Sequence, residues 1–571
     1  MKRKSGIIKI VMVVLLTTFI AAQEETKKDP PGINERVENV FSEFHRMDRP
    51  GGAIVVVKDG EVVFKNGYCL ASMEHPLPIT PDTVMDTVEI SRPVTAMAIF
   101  MLEDQGKLSL DDDIRKHIPE LPDWGKTVTL RHLLDHTAGI RDWAEMLPLA
   151  GWRNEDIITL NHIMELVKRQ PELPADPGSK YRFSNTGYNL LAETVARVTG
   201  QAFRDWTRAK IFIPLGMRKT FFRDRFGEPV ENQAYAYDYQ PLGGYRKGGD
   251  NLEAVGSHCL YSSVEDMAKW LINLETGKVG GKSVIEKMLT PGKLNNGKPV
   301  DSAGGFHFST YKGLKRYRVS GQWGGFNSSL EYYPGQKFAV VMLCNWVSGW
   351  VNPVNSALLV AHIYLEDHFE KSKPAAPEPP APSKGEKIKP DPALYDQYVG
   401  AYRLKPGNTV TIEREEDRLF YRINPRRRFE LFQRSENLFV LAFGDYRLTF
   451  QKNKEGKVYR LLEQGGGADD RVLEKIELVN PTPEELREYT GSYYLTGLDA
   501  RYSVVVREKK LSLTHWRRGD FDLTPETRDV FTGPPGEFNA VEFLRDKQGK
   551  ISGFKLPNID VTFEKTVENI K

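Results

Sequence analysis

The sequence predicts an α+β domain, an antiparallel sheet flanked by helices, followed by two small all-β barrel modules. Three observations carry this. The first part of the chain opens on a strand hairpin, runs through helices and closes on strands. A proline-rich stretch then interrupts it. Beyond that stretch the chain is strand-like and repeats itself. At 571 residues the chain is also too long for one core.

The elements follow in order. Ala53 to Val57 is a short β-branched run, Lys58-Asp59-Gly60-Glu61 a turn, and Val62 to Phe64 the return strand. After Pro93, the residues Thr95, Ala96, Ala98, Ile99, Met101 and Leu102 fit a buried, nearly all-apolar helix that stops near Gly106. Leu130 to Leu134 and Leu190 to Val198 are helical, the second ending before Gly200. Ser328 to Tyr333 and Lys337 to Cys344 are strands around Pro334-Gly335. A sheet built from both ends of the domain, with helices packed on it, is the expected architecture. The domain is placed at 30–370 and a linker at 371–392, in which Lys373 to Pro382 reads KPAAPEPPAP and forms neither helix nor central strand.

Residues 393–478 and 482–568 read as two copies of one β module. Tyr398-Val-Gly-Ala-Tyr402 recurs as Tyr489-Thr-Gly-Ser-Tyr493, 91 residues on (489 − 398). Phe450 before Lys454-Glu455-Gly456-Lys457 recurs as Phe543 before Lys547-Gln548-Gly549-Lys550, 93 residues on (543 − 450). Each copy has the size of a small closed barrel, which hides sheet edges.

Composition narrows function. With 79 basic and 77 acidic residues the net charge is +2, which gives no reason to expect nucleic acid as a partner. The start, with Lys2, Arg3, Lys4 and an apolar run from Ile7 to Ala22, reads as a secretory signal peptide of residues 1–22. A secreted or periplasmic location follows, with no membrane span in the mature chain. An uncleaved anchor is the alternative, though the run is short for a span of about 20 residues. Cys69, Cys259 and Cys344 are too few for a disulfide framework and are expected as buried thiols. The pair His258-Cys259 is too little for a metal site, and no metal or cofactor is expected.

Long stretches carry a family likeness. They read QGKLSLDDDIRKHIPELPDWGKTVTLRHLLDHTAGI, SNTGYNLLAETVARVTGQAF, IFIPLGMRKTFF, LYSSVEDMAKW and YYPGQKFAVVMLCN, in order, over roughly residues 35 to 365. The domain resembles the β-lactamase-related serine hydrolases: class C β-lactamases, D-alanyl-D-alanine carboxypeptidases, D-aminopeptidases and related esterases on the penicillin-binding-protein fold. The C-terminal modules resemble the lipocalin-like barrels appended to such hydrolases.

The resemblance implies three catalytic motifs. A serine and a lysine three residues later start a helix, and the neutral lysine takes the serine proton. A tyrosine in Y-x-N shares the base role. A K-T-G or H-x-G motif on an edge strand closes the pocket. Here Glu89 stands at the serine position and Arg92 at the lysine position. An arginine keeps its proton, so Arg92 is no base, and Glu89 is a poor acyl acceptor. The pair is expected to form an i,i+3 ion pair. In the second motif Phe183 replaces the tyrosine and Asn185 remains; Tyr181 is a possible stand-in, expected on the same face as Phe183. The third falls at Gln322-Trp323-Gly324, without lysine or histidine. Ser91 is a possible stand-in nucleophile, read instead as a helix-start hydroxyl. His132 and His136 match family text and are read as packing groups.

The expectation is therefore a catalytically degenerate hydrolase that binds a peptide, a peptidoglycan fragment or a small acyl ligand. An active enzyme with a rearranged site, using Ser91, Tyr181 or a water held by Glu89, is the alternative. A purely structural envelope protein is a third.

Overall fold

The computed structural model describes residues 32–370 and 392–566, apart from 45–46, 154, 241–242, 250, 348–351, 425–426, 442–445 and 466–467. The expected signal peptide and nearly all of the proline-rich linker lie outside these residues.

Seven strands form the main sheet: β1 Gly52–Lys58, β2 Glu61–Tyr68, β3 Ser302–Ala303, β4 Phe306–Tyr311, β5 Leu314–Trp323, β6 Phe326–Tyr333 and β7 Phe338–Cys344. Their order is β3-β4-β5-β6-β7-β1-β2. The opening hairpin thus pairs with the closing strands, Val55 opposite Val341. The period of two along β1 explains why the run is apolar throughout. Ala53, Val55 and Val57 join one core, while Ile54 and Val56 join another. The first core holds α2 Ser91–Asp104, α3 Trp143–Leu149, α4 Asn185–Thr199 and α5 Val264–Thr276; the second holds α1 Ile33–Val40 and α6 Pro353–Leu365. A sheet covered on both faces buries every residue of β7. The strand carrying the third motif, β5, was expected at an edge. It lies inside the sheet, because β3 and β4 add beyond it. It turns into β6 through Gly324 and Gly325, both at positive φ (56° and 96°), with Trp323 opposite Phe326. Two left-handed residues make the tight hairpin that matches strand twist, and glycine takes that conformation without strain.

The C-terminal half is two closed eight-stranded barrels, with strands spanning 400–476 and 491–566. The repeated motif does the same work in each. The Tyr402 hydroxyl donates to the Tyr398 carbonyl (2.7 Å), and Tyr493 to Tyr489 (2.6 Å). Gly400 and Gly491, at φ 139° and 145°, leave room for Lys475 and Lys565, whose stems would collide with a Cβ there. Phe450 and Phe543 pack on the first tyrosine of each motif, at 4.5 and 4.8 Å between ring centres.

The two copies are used differently. The second barrel shares the core of the first domain, whereas the first barrel has a core of its own. Arg141 donates to the carbonyls of Ile559 (3.2 Å) and Asp560 (3.0 Å), and Arg182 to Ile559 (2.9 Å). Tyr502 reaches the Leu149 carbonyl (3.1 Å). The first barrel leans on the second through Asn539, which donates to the Gly407 carbonyl (2.8 Å). Among the described residues no helix is long and apolar enough to cross a membrane.

Candidate functional site

The helix that starts the site is entered through strain. Val88 has φ 53°, a conformation a β-branched residue rarely adopts and one that costs of order 1–3 kcal/mol. Two bonds hold it there. Its N–H donates to Asp86 Oδ1 (2.8 Å), and its carbonyl accepts from Ser91 Oγ (2.5 Å). Ser91 also accepts from the Leu260 N–H (3.2 Å) and is fully buried. Its hydroxyl proton is committed to a carbonyl, so Ser91 clamps the turn. It stands at the first position of α2 and does not cap the helix with its side chain.

Glu89 follows in the short 3-10 turn Val88–Ile90. Its Oε2 accepts the Gln322 N–H of β5 (3.0 Å), and its Oε1 lies 3.6 Å from His258 Nε2. Gly321 makes room: a Cβ there would stand 1.7 Å from Glu89 Oε2. Burial alone would raise the Glu89 carboxyl. The His258 ring and the Arg92 guanidinium outweigh burial and hold it below the usual range. An oxyanion hole needs N–H groups aimed at a reacting oxygen, and here the Gln322 N–H is already bonded to Glu89.

The expected ion pair between Glu89 and Arg92 does not form. The carboxylate turns to β5 and His258, and the guanidinium turns the other way, 4.9 Å over the Phe183 ring. Arg92 is linked to Glu89 only by a long bond from Nε to the backbone carbonyl (3.4 Å).

Behind Glu89 lies a buried network that sequence reading missed. Asn189 Nδ2 donates to the carbonyls of Ala254 (2.9 Å) and Val255 (2.8 Å), which fixes its amide orientation. Asn189 Oδ1 must therefore accept, from Trp143 Nε1 (3.0 Å) and from Ser257 Oγ (3.3 Å). Ser257 Oγ, having given its proton, accepts from His258 Nδ1 at 2.9 Å. Ser257, His258 and Glu89 thus line up in triad order without triad function, since Ser257 is fully buried and its proton points to Asn189. Trp143 and Trp323 pack around His258, at 6.0 and 5.9 Å between ring centres.

Asn185 donates to Asp142 Oδ2 (3.0 Å), and Asp142 caps α3 through the Ala144 N–H (3.1 Å). Burial pushes the Asp142 carboxyl up to about 6. His136, at φ 55°, lies beside Phe183 (4.8 Å) and Tyr181 (5.8 Å). Burial, aided by Arg92, pushes His136 down to about 3, so the ring is neutral. His132 is a capping residue whose Nδ1 accepts from the Thr129 N–H (3.2 Å).

The predicted positions divide between two cavities. Arg92, Tyr181 and Phe183 line one of about 170 Å³; Gln322, Trp323 and Gly324 line another of about 440 Å³. Glu89, Ser91 and Asn185 line neither. Among the described residues no three or more His, Cys, Asp or Glu side chains gather as a metal site.

Fold and motif positions define a scaffold of the penicillin-binding-protein type. The model of the Beta-lactamase family matches residues 37–362, and the chain belongs to that family. A model described as Domain of unknown function (DUF3471) matches 384–469, most of the first barrel. Penicillin-binding protein 4* of Bacillus subtilis (strain 168) is 26% identical over 459 residues, 77% of this chain and 99% of its own length. A D-aminopeptidase of Gluconobacter oxydans (strain 621H) is 24% identical over 303 residues, 53% of this chain and 57% of that enzyme. The octameric penicillin-binding protein homologue from Pyrococcus abyssi superposes with a TM-score of 0.55 at 23% identity, covering 77% of this chain and 99% of that one. At that identity the likeness shows the fold alone.

Proposed function

We propose that the protein is a secreted, catalytically degenerate member of the Beta-lactamase family that binds a peptide, cell-wall or small acyl ligand. The observation that carries this reading is Glu89. In our reading its carboxylate takes the position of the family nucleophile, and it already accepts the Gln322 N–H of the neighbouring strand. Three further facts support it. A guanidinium at position 92 keeps its proton. Phe183 has no hydroxyl. Ser91 is buried with its proton bonded to Val88. A pocket that outlives its chemistry still offers shape and charge to a ligand.

Turnover tests the reading. The purified chain is assayed with chromogenic esters, a chromogenic cephalosporin and D-amino-acid amides, beside Ser91→Ala and Glu89→Ala. The expected result is no turnover, or a trace that neither substitution changes. Turnover lost in one variant would establish a rearranged active site and name its key group.

A further inference from the structure

Arg92 presents an unusual combination. It is only 8% exposed, yet among the described residues no carboxylate pairs with it. A guanidinium has five N–H donors, and among the described residues its one hydrogen bond is the long contact from Nε to the Glu89 carbonyl. The Phe183 ring compensates part of its desolvation. A buried charge without a bonded counter-ion is costly, and the Glu89 and Asp142 carboxylates act on this one only through space. The Glu89 charge is directed at His258 and Gln322. Arg92 instead faces the cavity of about 170 Å³ that it lines.

A second donor meets it there. His136 lines the same cavity, and its Nδ1 accepts the Ser184 N–H (3.3 Å). A neutral ring that accepts at Nδ1 carries its proton on Nε2. Among the described residues nothing accepts that N–H. Tyr181 and Phe183 complete one wall, their rings 5.8 and 4.8 Å from His136, and Ser320 of β5 stands in another. Asp301 also borders the cavity, but it is exposed and its charge is therefore solvated. Space of this size equals about six waters at about 30 Å³ each, enough for a carboxylate on a short stem or for a phosphate.

We propose that this cavity binds a small oxyanion, a carboxylate or phosphate group, on the Arg92 guanidinium with the His136 Nε2–H and the Tyr181 hydroxyl beside it. Resting on the reading above that the site binds and does not cut, this names the ligand class of the site. A planar fork recognises two oxygens at once, and a bond between opposite charges is stronger than one between neutral groups.

Calorimetry on the full chain is the test, with sodium acetate, benzoate and inorganic phosphate as probes, acetamide as the neutral control, and chloride to match ionic strength. Saturable binding of acetate and benzoate, or of phosphate, is expected, and which probe binds more tightly tells the carboxylate source from the phosphate source. Acetamide stays silent. Arg92→Gln weakens binding at least about tenfold, and Arg92→Lys, which keeps charge but loses the fork, falls between. If Arg92→Gln fails to fold, His136→Gln and Tyr181→Phe serve, each weakening binding several-fold. No saturable binding of any anion, or binding unchanged in these variants, overturns the proposal. Covalent labelling by a fluorophosphonate is scored separately. A label removes the degenerate reading, while the anion site stands or falls on calorimetry alone.

Discussion

Glu89 and Arg92 are three residues apart, both charged, both at the start of one helix, and the structure treats them in opposite ways. Glu89 is built in: the Gln322 N–H, the His258 ring and the hollow above Gly321 all fit it. Arg92 is left open, stacked on one ring and facing a cavity. The difference teaches that neighbouring charges on one helix start can be given opposite surroundings. One side chain is bonded into the frame, and the other faces a cavity.

The largest effect separates the two residues directly. Glu89→Ala strips a buried partner from His258 and a strand amide, and should cost about 4 kcal/mol in denaturant unfolding. Arg92→Met removes a guanidinium that no carboxylate bonds, though Glu89 and Asp142 act on it through space, and should cost under about 2 kcal/mol. Equal losses in the two variants would break the contrast.

Asp142 sharpens it through pH. Its folded value, about 6, lies above the ordinary 3.8. A carboxyl raised on folding destabilises the folded state once ionised. Stability from this group is therefore full below about pH 4 and lost as pH rises through 6. Asp142→Asn keeps the cap through its single amide oxygen, makes the Asn185 amide flip so that its otherwise unpartnered Oδ1 accepts the new N–H, removes that slope, and should add up to about 3 kcal/mol at pH 7.5. His136 acts in the opposite direction, weakening the fold as pH falls from 6.5 toward 3, and cancels in the difference between variant and wild type, which reports Asp142 together with Glu145, a carboxyl raised to about 7 by burial and by the Asp142 charge. A parallel pH profile in both would show that Asp142 ionises freely.

Gly321→Ala tests the fit of Glu89 from the other side. The added methyl meets the carboxylate and should cost about 2 kcal/mol. In a double-mutant cycle with Glu89→Ala part of that cost should vanish, and a remainder should persist because the methyl also meets the Glu89 backbone nitrogen at 2.7 Å. Additive losses would mean that the strand itself, and not Glu89, requires glycine. The smallest effect is expected at Tyr181→Phe, where a half-exposed hydroxyl is removed: under about 0.5 kcal/mol in stability.

Much of this was legible in the sequence. The 91-residue echo of Tyr398 and Tyr402 marked two barrels because each tyrosine pair makes the same local bond. The apolar run 53–57 marked a sheet strand, and the motif positions placed Glu89, Arg92 and Phe183. What the sequence hid is what distant segments bring together. His258 sits 169 residues (258 − 89) from Glu89 and carries no local pattern. Asp142, Trp143 and Asn189 look like ordinary helix residues until α3 and α4 pack. The i,i+3 spacing of Glu89 and Arg92 suggested an ion pair because helix spacing was the only geometry in view. The strained turn at Val88, the N–H of β5 and the Phe183 ring lie outside that rule and decide the outcome. Likewise β5 was expected at an edge because the resemblance places the third motif on an edge strand, and here two further strands add beyond it.

The absence of a working nucleophile is the central claim, and intact-mass spectrometry after incubation with a fluorescent penicillin tests it most directly. The unmodified mass is the predicted result, at long incubation and high reagent alike. A stoichiometric adduct on Ser91, Ser257 or any other side chain of the site would contradict it.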